Sequence, residues 1–315
     1  MTKSISNPSF LRAFAASREE KNGLTRRRKD AKKFWLFPLA LLPAPAFAQA
    51  DIVVTASGVE QRRDEVGQAI TIIDRDALER TQTNVISDIL KTVPGVSVAR
   101  NGGVGGVTSV FIRGGDSSQT LVLIDGVRIN DPSSPNAAFD FGALLTGNIA
   151  RVEVLRGPNS VIWGSQAIGG VVNVQTAEPT DALTVNAHAE YGYRDTAKGT
   201  ANISGKSGIV SGSFGGGYFR TGGISALAAG TERDGYKNAS ANGKLKIAPS
   251  DDIALDLRGY YNKGRVQFDD PFGATPDTFP ETENEQFVGY AGLNAKLFNG
   301  RLTNRLSYSR TDISR

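Results

Sequence analysis

The sequence contains no cysteine and a single histidine, His188. The absence of cysteine excludes disulfide bonds, a thiol nucleophile and cysteine metal sites, and one histidine cannot form a histidine metal cluster. Long hydrophobic runs are also missing. The apolar stretch from Phe34 to Phe47 has 14 residues, whereas a membrane-spanning helix needs roughly 20. No constellation of catalytic residues is recognisable, and we expect a protein that is not an enzyme.

The excess of positive charge is confined to the N-terminus. Residues 1–48 hold ten of the 36 lysines and arginines but three of the 32 acidic residues, which leaves 26 basic and 29 acidic groups in residues 49–315. The main part of the chain is therefore slightly acidic and lacks the basic face that nucleic-acid binding requires. We expect no nucleic-acid partner.

The first 48 residues have the order of features found in an export signal. A basic region from Arg26 to Lys33 precedes the apolar stretch, and Ala46-Phe47-Ala48 offers an A-x-A cleavage site. Residues 1–48 are therefore predicted to be a signal peptide with a long N-terminal lead, and the mature chain is predicted to begin near Gln49. The alternative is a basic arm for nucleic acid, which the adjoining cleavage site disfavours.

The next part of the chain divides into a short extended segment, residues 49–68, and a mixed domain, residues 69–178. Short apolar segments of this domain lie between turns rich in glycine, asparagine and proline, which predicts a compact α+β fold. The predicted strands are 69–74, 96–100, 107–113, 120–124, 152–156 and 170–175, and the predicted helices are 77–82 and 85–91.

Residues 179–315 alternate apolar and polar side chains in seven successive segments, each about as long as a strand that crosses an outer membrane. The predicted strands are 183–194, 196–206, 209–220, 239–248, 252–262, 286–298 and 301–311. Tight connections contrast with long polar ones at 221–238 and 263–285, as in a membrane β-barrel. Seven strands cannot close a barrel, because unpaired backbone in lipid is very costly. We therefore expect a fragment of a longer protein or a truncated product, and we favour a fragment.

A series of short motifs follows in order along residues 50–315. They are Asp88-Ile89-Leu90-Lys91 with Pro94-Gly95-Val96, Phe111 to Gly114, Leu123 to Val127, Val152 to Pro158, and Trp163 to Val174. Together they resemble the TonB-dependent outer-membrane receptors. The resemblance implies an α+β plug domain followed by the first strands of an antiparallel transmembrane β-barrel, with about 22 strands in the complete protein. It also implies import of a scarce nutrient through the Gram-negative outer membrane, in contact with its lipid and with energy delivered by TonB.

A segment near the predicted mature terminus resembles the TonB box of this family. It consists of Asp51, Ile52, Val53, Val54, Thr55 and Ala56. A flexible segment of β-prone residues can add as a strand to the sheet edge of a partner, which would let TonB grip its backbone. The alternative is that Ile52–Val54 is simply the first strand of the plug.

The resemblance also implies a ligand site at the apex of the plug. Two glycine-rich or polar loops beside core strands supply the candidate substrate-binding residues, which are Asn101, Gly102, Asp116, Ser117, Ser118 and Gln119. Ordinary turns would have the same composition. A second expectation concerns charges that hold the plug within a polar lumen. The candidate members of this buried ionic network are Arg113, Asp125, Glu153 and Arg156, with isolated charges at strand ends as the alternative.

Within the family, residues 52–56, 101–103 and 121–130 are most similar to the cobalamin receptors. The predicted ligand is therefore cobalamin or a related corrinoid. A ferric siderophore, haem or a carbohydrate is the alternative within the family, because substrate choice depends on loops whose sequence does not reveal it. A non-transporting binding or signalling receptor is the alternative of another class.

Two of the long connections are acidic. Hard cations such as calcium favour clustered oxygen ligands, and cobalamin receptors use calcium to order such loops. The candidate ligands are Glu232, Asp234, Asp269 and Asp270. Their spacing is not that of an EF-hand, and solvated acidic loops are the alternative reading.

Overall fold

The computed structural model describes residues 52–53, 61–130, 137–225, 231–269, 280–297 and 300–314. The predicted signal peptide and Asp270 lie outside these ranges, as do all residues of the predicted TonB box except Ile52 and Val53. No helix among the described residues is both long enough and apolar enough to cross a membrane.

The first part of the structure is an α+β domain, called the plug below. Its elements are β1 (Ile52–Val53), β2 (Gln61–Arg62), β3 (Ala69–Asp74), α1 (Arg75–Thr81), α2 (Ile86–Leu90), β4 (Val96–Arg100), β5 (Thr108–Ile112), β6 (Thr120–Ile124), β7 (Val127–Arg128), β8 (Ile149–Arg156), α3 (Ser160–Trp163) and β9 (Gly170–Thr176). A five-stranded sheet has the order β3-β8-β9-β6-β7. The pairing of β6 with β9 is parallel, and its other pairings are antiparallel. β4 and β5 form a separate hairpin.

The plug contains every strand and helix predicted for residues 69–178, and β3, β4 and β6 have the predicted bounds. Local signals account for this agreement. Asp74 caps α1 by accepting a hydrogen bond from the Ala77 amide at 2.8 Å, and the helix ends at Gln82 in the left-handed region. β7 and α3 were not predicted, since elements of two and four residues carry little periodicity.

The core of the plug lies on both faces of its central sheet. All five residues of β6 are buried, as expected for a strand whose two faces are both covered. One face packs against α2 and the β4–β5 hairpin, and the other packs against Leu155, Ala167 and Val171. This two-sided core fixes the strands from which the loops of the plug extend.

The second part is a sheet of seven strands, called the wall below. Its strands are β10 (Thr184–Gly192), β11 (Thr196–Ser207), β12 (Val210–Ile224), β13 (Asp234–Ser250), β14 (Ile253–Gln267), β15 (Glu281–Leu297) and β16 (Gly300–Ser314). Each strand pairs antiparallel with the next along the chain. The predicted number and order of wall strands are confirmed.

The two faces of the wall differ in polarity. Phe214 on β12 is 64% exposed on the outward face, whereas Ser213 beside it is 3% exposed on the inward face. The inward face carries the plug, because Tyr260 of β14 and Val288 of β15 belong to the same buried cluster as the plug core. A face of polar and aromatic residues thus meets the plug while the apolar face points away.

The predicted long connections are shorter than expected. β12 and β14 extend to Ile224 and Gln267, and β13 and β15 begin at Asp234 and Glu281, so the strands enter the predicted connections 221–238 and 263–285 from both ends. Several of the added residues are charged, and some of them pair across strands, as Lys263 does with Glu285 at 3.5 Å. Charged residues in the sequence predict loops here, but beyond the hydrocarbon layer cross-strand ion pairs stabilise a strand as well.

Candidate ligand-binding site

A cavity of about 470 Å³ lies where the plug meets the end of the wall that carries the long connections. The plug lines it with residues 101–107, called the apex loop below, and with Asp140 and Ala143. The wall lines it with residues from β13, β14 and β15 and with Asp269 beyond β14. The cavity therefore joins the predicted apex residues Asn101 and Gly102 to the acidic connections of the wall.

Backbone hydrogen bonds and one carboxylate fix the apex loop. The Asn101 amide donates to the Val107 carbonyl at 3.0 Å. Asp140 Oδ1 accepts from the amides of Thr108 and Gly142, both at 2.8 Å. Burial raises the pKa of the Asp140 carboxyl, while the two amide hydrogen bonds oppose that rise. Asp140 thus ties the base of the loop to residues 141–143.

The wall holds the tip of the apex loop through an aromatic ring. A Cβ at Gly105 would lie 2.1 Å from the Tyr236 ring, and Gly105 has a φ of +89° that favours glycine. Tyr236 is 2% exposed and packs against Phe219 and Leu145. No larger residue fits at Gly105 unless the loop moves away from the wall.

We expect Gly105→Ala to weaken ligand binding at least tenfold, because the added methyl group displaces the loop and its backbone is strained at positive φ. Gly103→Ala is the matched control, since a Cβ there meets nothing within 4 Å. Equilibrium binding to both variants in detergent would measure the difference. Equal affinities would show that the loop does not contact the ligand.

Two asparagines of the wall hold the segment behind the loop. The side-chain amides of Asn238 and Asn262 donate to the Ala143 carbonyl at 3.2 and 2.9 Å, and the Asn238 amide also donates to Asn262 Oδ1 at 3.0 Å. Both residues are buried. The cavity and the plug–wall interface therefore share one hydrogen-bond network.

Three of the four predicted calcium ligands converge at the cavity. The nearest carboxylate oxygens of Glu232, Asp234 and Asp269 lie within 4.8 Å of one another. Asp234 and Asp269 are each 5% exposed. Both carboxylate oxygens of Glu232 are buried, and neither has a hydrogen-bond partner among the described residues.

This arrangement fits a hard divalent cation. Calcium binds carboxylate oxygens at about 2.3–2.6 Å, so ligands on opposite sides of one ion lie about 5 Å apart. Burial of carboxylates close together is unfavourable unless a positive charge neutralises them. A bound cation would link the β12–β13 connection, which holds Glu232, to the end of β14.

The predicted apex residues are separated by the hairpin that carries them. Asn101 and Gly102 follow β4 at the end where Arg100 pairs with Thr108, whereas residues 116–119 follow the end where Val96 pairs with Ile112. Asp116, Ser117, Ser118 and Gln119 therefore lie at the far end of a hairpin about 14 Å long. They form a capped 3-10 turn, in which the Ser118 amide donates to Asp116 Oδ1 at 2.9 Å.

The four residues of the predicted ionic network do not come together. Glu153 and Arg156 point to opposite faces of β8, because they are three residues apart on a strand. Glu153 pairs with Arg151 at 3.2 Å, Arg156 donates to the Pro94 carbonyl at 2.8 Å, and Arg113 lies against Gly95 and Gly157. The printed contacts therefore do not join these four residues to one another in a single network.

Asp125, the fourth member, instead joins the plug to the wall. Lys244 of β13 lies 2.8 Å from Asp125 Oδ1, with both side chains about 95% buried. Lys244 also donates to the Thr176 carbonyl at 3.0 Å and to Glu178. Arg258 of β14 donates to the Asp125 carbonyl at 3.0 Å. These contacts fix the β6–β7 turn and the end of β9 to the wall.

The described part of the predicted TonB box forms a short ladder. Ile52 and Val53 pair antiparallel with Arg62 and Gln61. This segment therefore has the extended backbone that addition to a partner sheet requires, and its role in TonB contact stays a prediction.

The comparisons with known proteins agree with this architecture. Residues 62–171 match the family described as TonB-dependent Receptor Plug Domain. The chain is 30% identical over 284 residues to the vitamin B12 transporter BtuB of Vibrio vulnificus (strain YJ016), which covers 88% of this chain and 45% of that protein.

Two solved structures share the fold. The siderophore receptor PirA of Acinetobacter baumannii has a TM-score of 0.63 and 22% identity, over 77% of this chain and 40% of that one. The outer-membrane ferripyoverdine receptor of Pseudomonas aeruginosa, bound to ferripyoverdine, has a TM-score of 0.65 and 19% identity, over 82% of this chain and 36% of that one.

A plug domain held on the inward face of antiparallel strands defines the class of plugged outer-membrane receptors. The chain belongs to the TonB-dependent receptor family. It spans about half the length of the curated relative it matches. The predicted fold class, a plug followed by the start of an antiparallel barrel, is confirmed.

Proposed function

We propose that the complete protein imports cobalamin or a related corrinoid across the outer membrane, using energy delivered by TonB. The ligand binds between the apex loop and the wall, and a pull by TonB on residues 51–56 then admits it. The vitamin B12 transporter that is 30% identical to this chain supports the choice of ligand. No covalent chemistry is involved.

The charge of the cavity is the observation that carries this proposal. Asp140, Asp234 and Asp269 line it, and no lysine, arginine or histidine is found among its described lining residues. Ferric catecholate siderophores are anionic, and like charges at a binding surface cost several kcal/mol. A corrinoid instead presents neutral amides, to which Asn101, Gln267 and Asn284 can hydrogen-bond.

Calcium has a role in this proposal. Glu232, Asp234 and Asp269 would hold the ion at the cavity rim, and the ion would reduce the negative charge that faces the ligand. Its binding would also hold the β12–β13 connection near the end of β14, where Ser225 already donates to Asp269 Oδ2 at 3.1 Å. The proposed ligand site should therefore be more ordered with calcium than without it.

Binding of cyanocobalamin to the complete gene product in detergent, with and without calcium, tests the ligand. We expect a Kd below about 1 μM with calcium and weaker binding after chelation. Absence of binding in both conditions would reject cobalamin while leaving the receptor family intact. Binding of a ferric siderophore instead would favour the alternative ligand class.

We expect Glu232→Gln to abolish the effect of calcium on ligand affinity, because the substitution removes one charged ligand and preserves the shape of the side chain. Asp252→Asn is the control, since Asp252 is an exposed carboxylate between β13 and β14 at the end with tight turns. Titrations of calcium at fixed cyanocobalamin would measure the effect. An unchanged calcium response in Glu232→Gln would place the ion elsewhere.

A further inference from the structure

A row of positive charge crosses the outward face of the wall near its long connections. Arg220 on β12 lies directly opposite Lys237 on β13, and Lys237 lies directly opposite Arg265 on β14. Arg220 and Lys237 are exposed, whereas their chain neighbours Phe219 and Tyr236 are each 2% exposed on the inward face. The three cations therefore point away from the plug.

The row is neutralised at one end only. Arg265 pairs with Glu281 at 3.5 Å and with Glu283. Arg220 and Lys237 form no ion pair with any residue in the described part of the chain. Like charges directly opposite each other destabilise a sheet, so this pair is unfavourable unless an anion lies between the two side chains.

Another cation, Arg233, lies beside the pair formed by Arg220 and Lys237. Arg233 is exposed, and its guanidinium is 3.9 Å from the position of a Cβ at Gly222, two residues beyond Arg220. The acidic residue at the β10–β11 turn, Asp195, accepts a hydrogen bond from the Tyr191 hydroxyl at 3.2 Å. We call Arg220, Arg233 and Lys237 the basic patch.

Exposed aromatic residues on the wall indicate how deep in a membrane the basic patch lies. Tyr218 is 47% exposed on the same face of β12, two residues before Arg220, and Tyr191 on β10 is 75% exposed. Aromatic girdles mark the boundary between hydrocarbon and headgroups. Arg220 lies about 7 Å beyond Tyr218 toward the long connections, which is the depth of lipid headgroups in the outer leaflet.

We infer that the basic patch binds the phosphate groups of an outer-leaflet glycolipid headgroup. A guanidinium presents two parallel donors that match two phosphate oxygens, and an ammonium supplies a compact charge beside them. A phosphate held by Arg220 and Lys237 removes the repulsion within their cross-strand pair. Arg220 and Lys237 lie on the opposite face of the wall from the ligand cavity.

Native mass spectrometry of the complete protein with added bisphosphorylated lipid A tests this inference. The combined variant Arg220→Gln and Lys237→Gln should bind that lipid about thirtyfold more weakly than the unchanged protein. Each single substitution should weaken binding about fivefold, which keeps the test valid if the combined variant is not recovered. Lipid A without phosphates should bind all forms equally.

The control is the combined variant Lys263→Gln and Arg310→Gln. It removes two cations from the same face, but these are paired, Lys263 with Glu283 and Glu285 and Arg310 with Asp312. The control should retain lipid A as the unchanged protein does. Equal retention by the basic-patch variant would overturn the proposal, and competition by millimolar inorganic phosphate would show that the site binds free anions rather than lipid.

Discussion

Replacing Val54 with proline is expected to abolish uptake of the ligand and to leave its binding at the cell surface unchanged. Addition of the 51–56 segment to a sheet edge of TonB depends on backbone hydrogen bonds. Proline removes one backbone donor and fixes φ, so the 51–56 segment can no longer pair with the TonB sheet. The ligand site lies later in the chain and keeps its structure. Uptake and surface binding of labelled cyanocobalamin in whole cells would be measured side by side.

Val54→Ala is the matched control for that variant. Alanine keeps the backbone amide and should retain most of the uptake. The extended pairing of Ile52–Val53 with Gln61–Arg62 is consistent with a segment that exchanges one strand partner for another. Normal uptake in Val54→Pro would contradict the role of the segment, whereas loss of surface binding would indicate a folding defect.

Local sequence patterns predicted most of the architecture. β3, β4 and β6 have the predicted bounds because short apolar segments with sharp turn residues leave few alternatives. The seven wall strands followed from strict alternation of side chains. Local patterns could not predict the order of strands in the plug sheet, since the parallel pairing of β6 with β9 joins residues 50 positions apart.

The sequence predicted which types of residue form the candidate site, but it could not predict which of them contact one another. Glu232, Asp234 and Asp269 were singled out as oxygen ligands, and their convergence depends on the register between β12, β13 and β14. Tyr236 and Asp140 were missed, because a buried aromatic and a capping aspartate look like ordinary core and turn residues. Their roles follow only from contact with the apex loop.

The predicted ionic network could not be completed from the plug sequence for a specific physical reason. The four candidate members, Arg113, Asp125, Glu153 and Arg156, all come from the plug sequence, but the partner of Asp125 lies 119 residues further on, at Lys244 of the wall. A signal was available, since Lys244 is a cation at an inward position of β13 between Asn242 and Lys246. A lysine at such a position favours a carboxylate on the plug as its partner, because a buried charge is stable only when it is paired.

Lys244→Met is expected to loosen the plug by about 3 kcal/mol, because removal of one member of a buried ion pair leaves the Asp125 carboxylate with hydrogen bonds from Thr176 but without its cation. Asp125 and Lys244 are almost completely buried, so solvent cannot replace the lost partner. Proteolysis that requires local opening tracks the population of the open form. Cleavage within the plug should therefore accelerate roughly a hundredfold or more.

Lys206→Met is the control for this effect, since Lys206 is 3.9 Å from Asp181 and the two side chains are 55% and 100% exposed. An exposed pair contributes at most about 1 kcal/mol, so the cleavage rate should change by no more than a few fold. In an Asp125→Asn background, Lys244→Met should cost much less than it does alone, because the uncompensated carboxylate is absent. Additive effects of the two substitutions would show that Lys244 stabilises the plug through packing rather than through its charge.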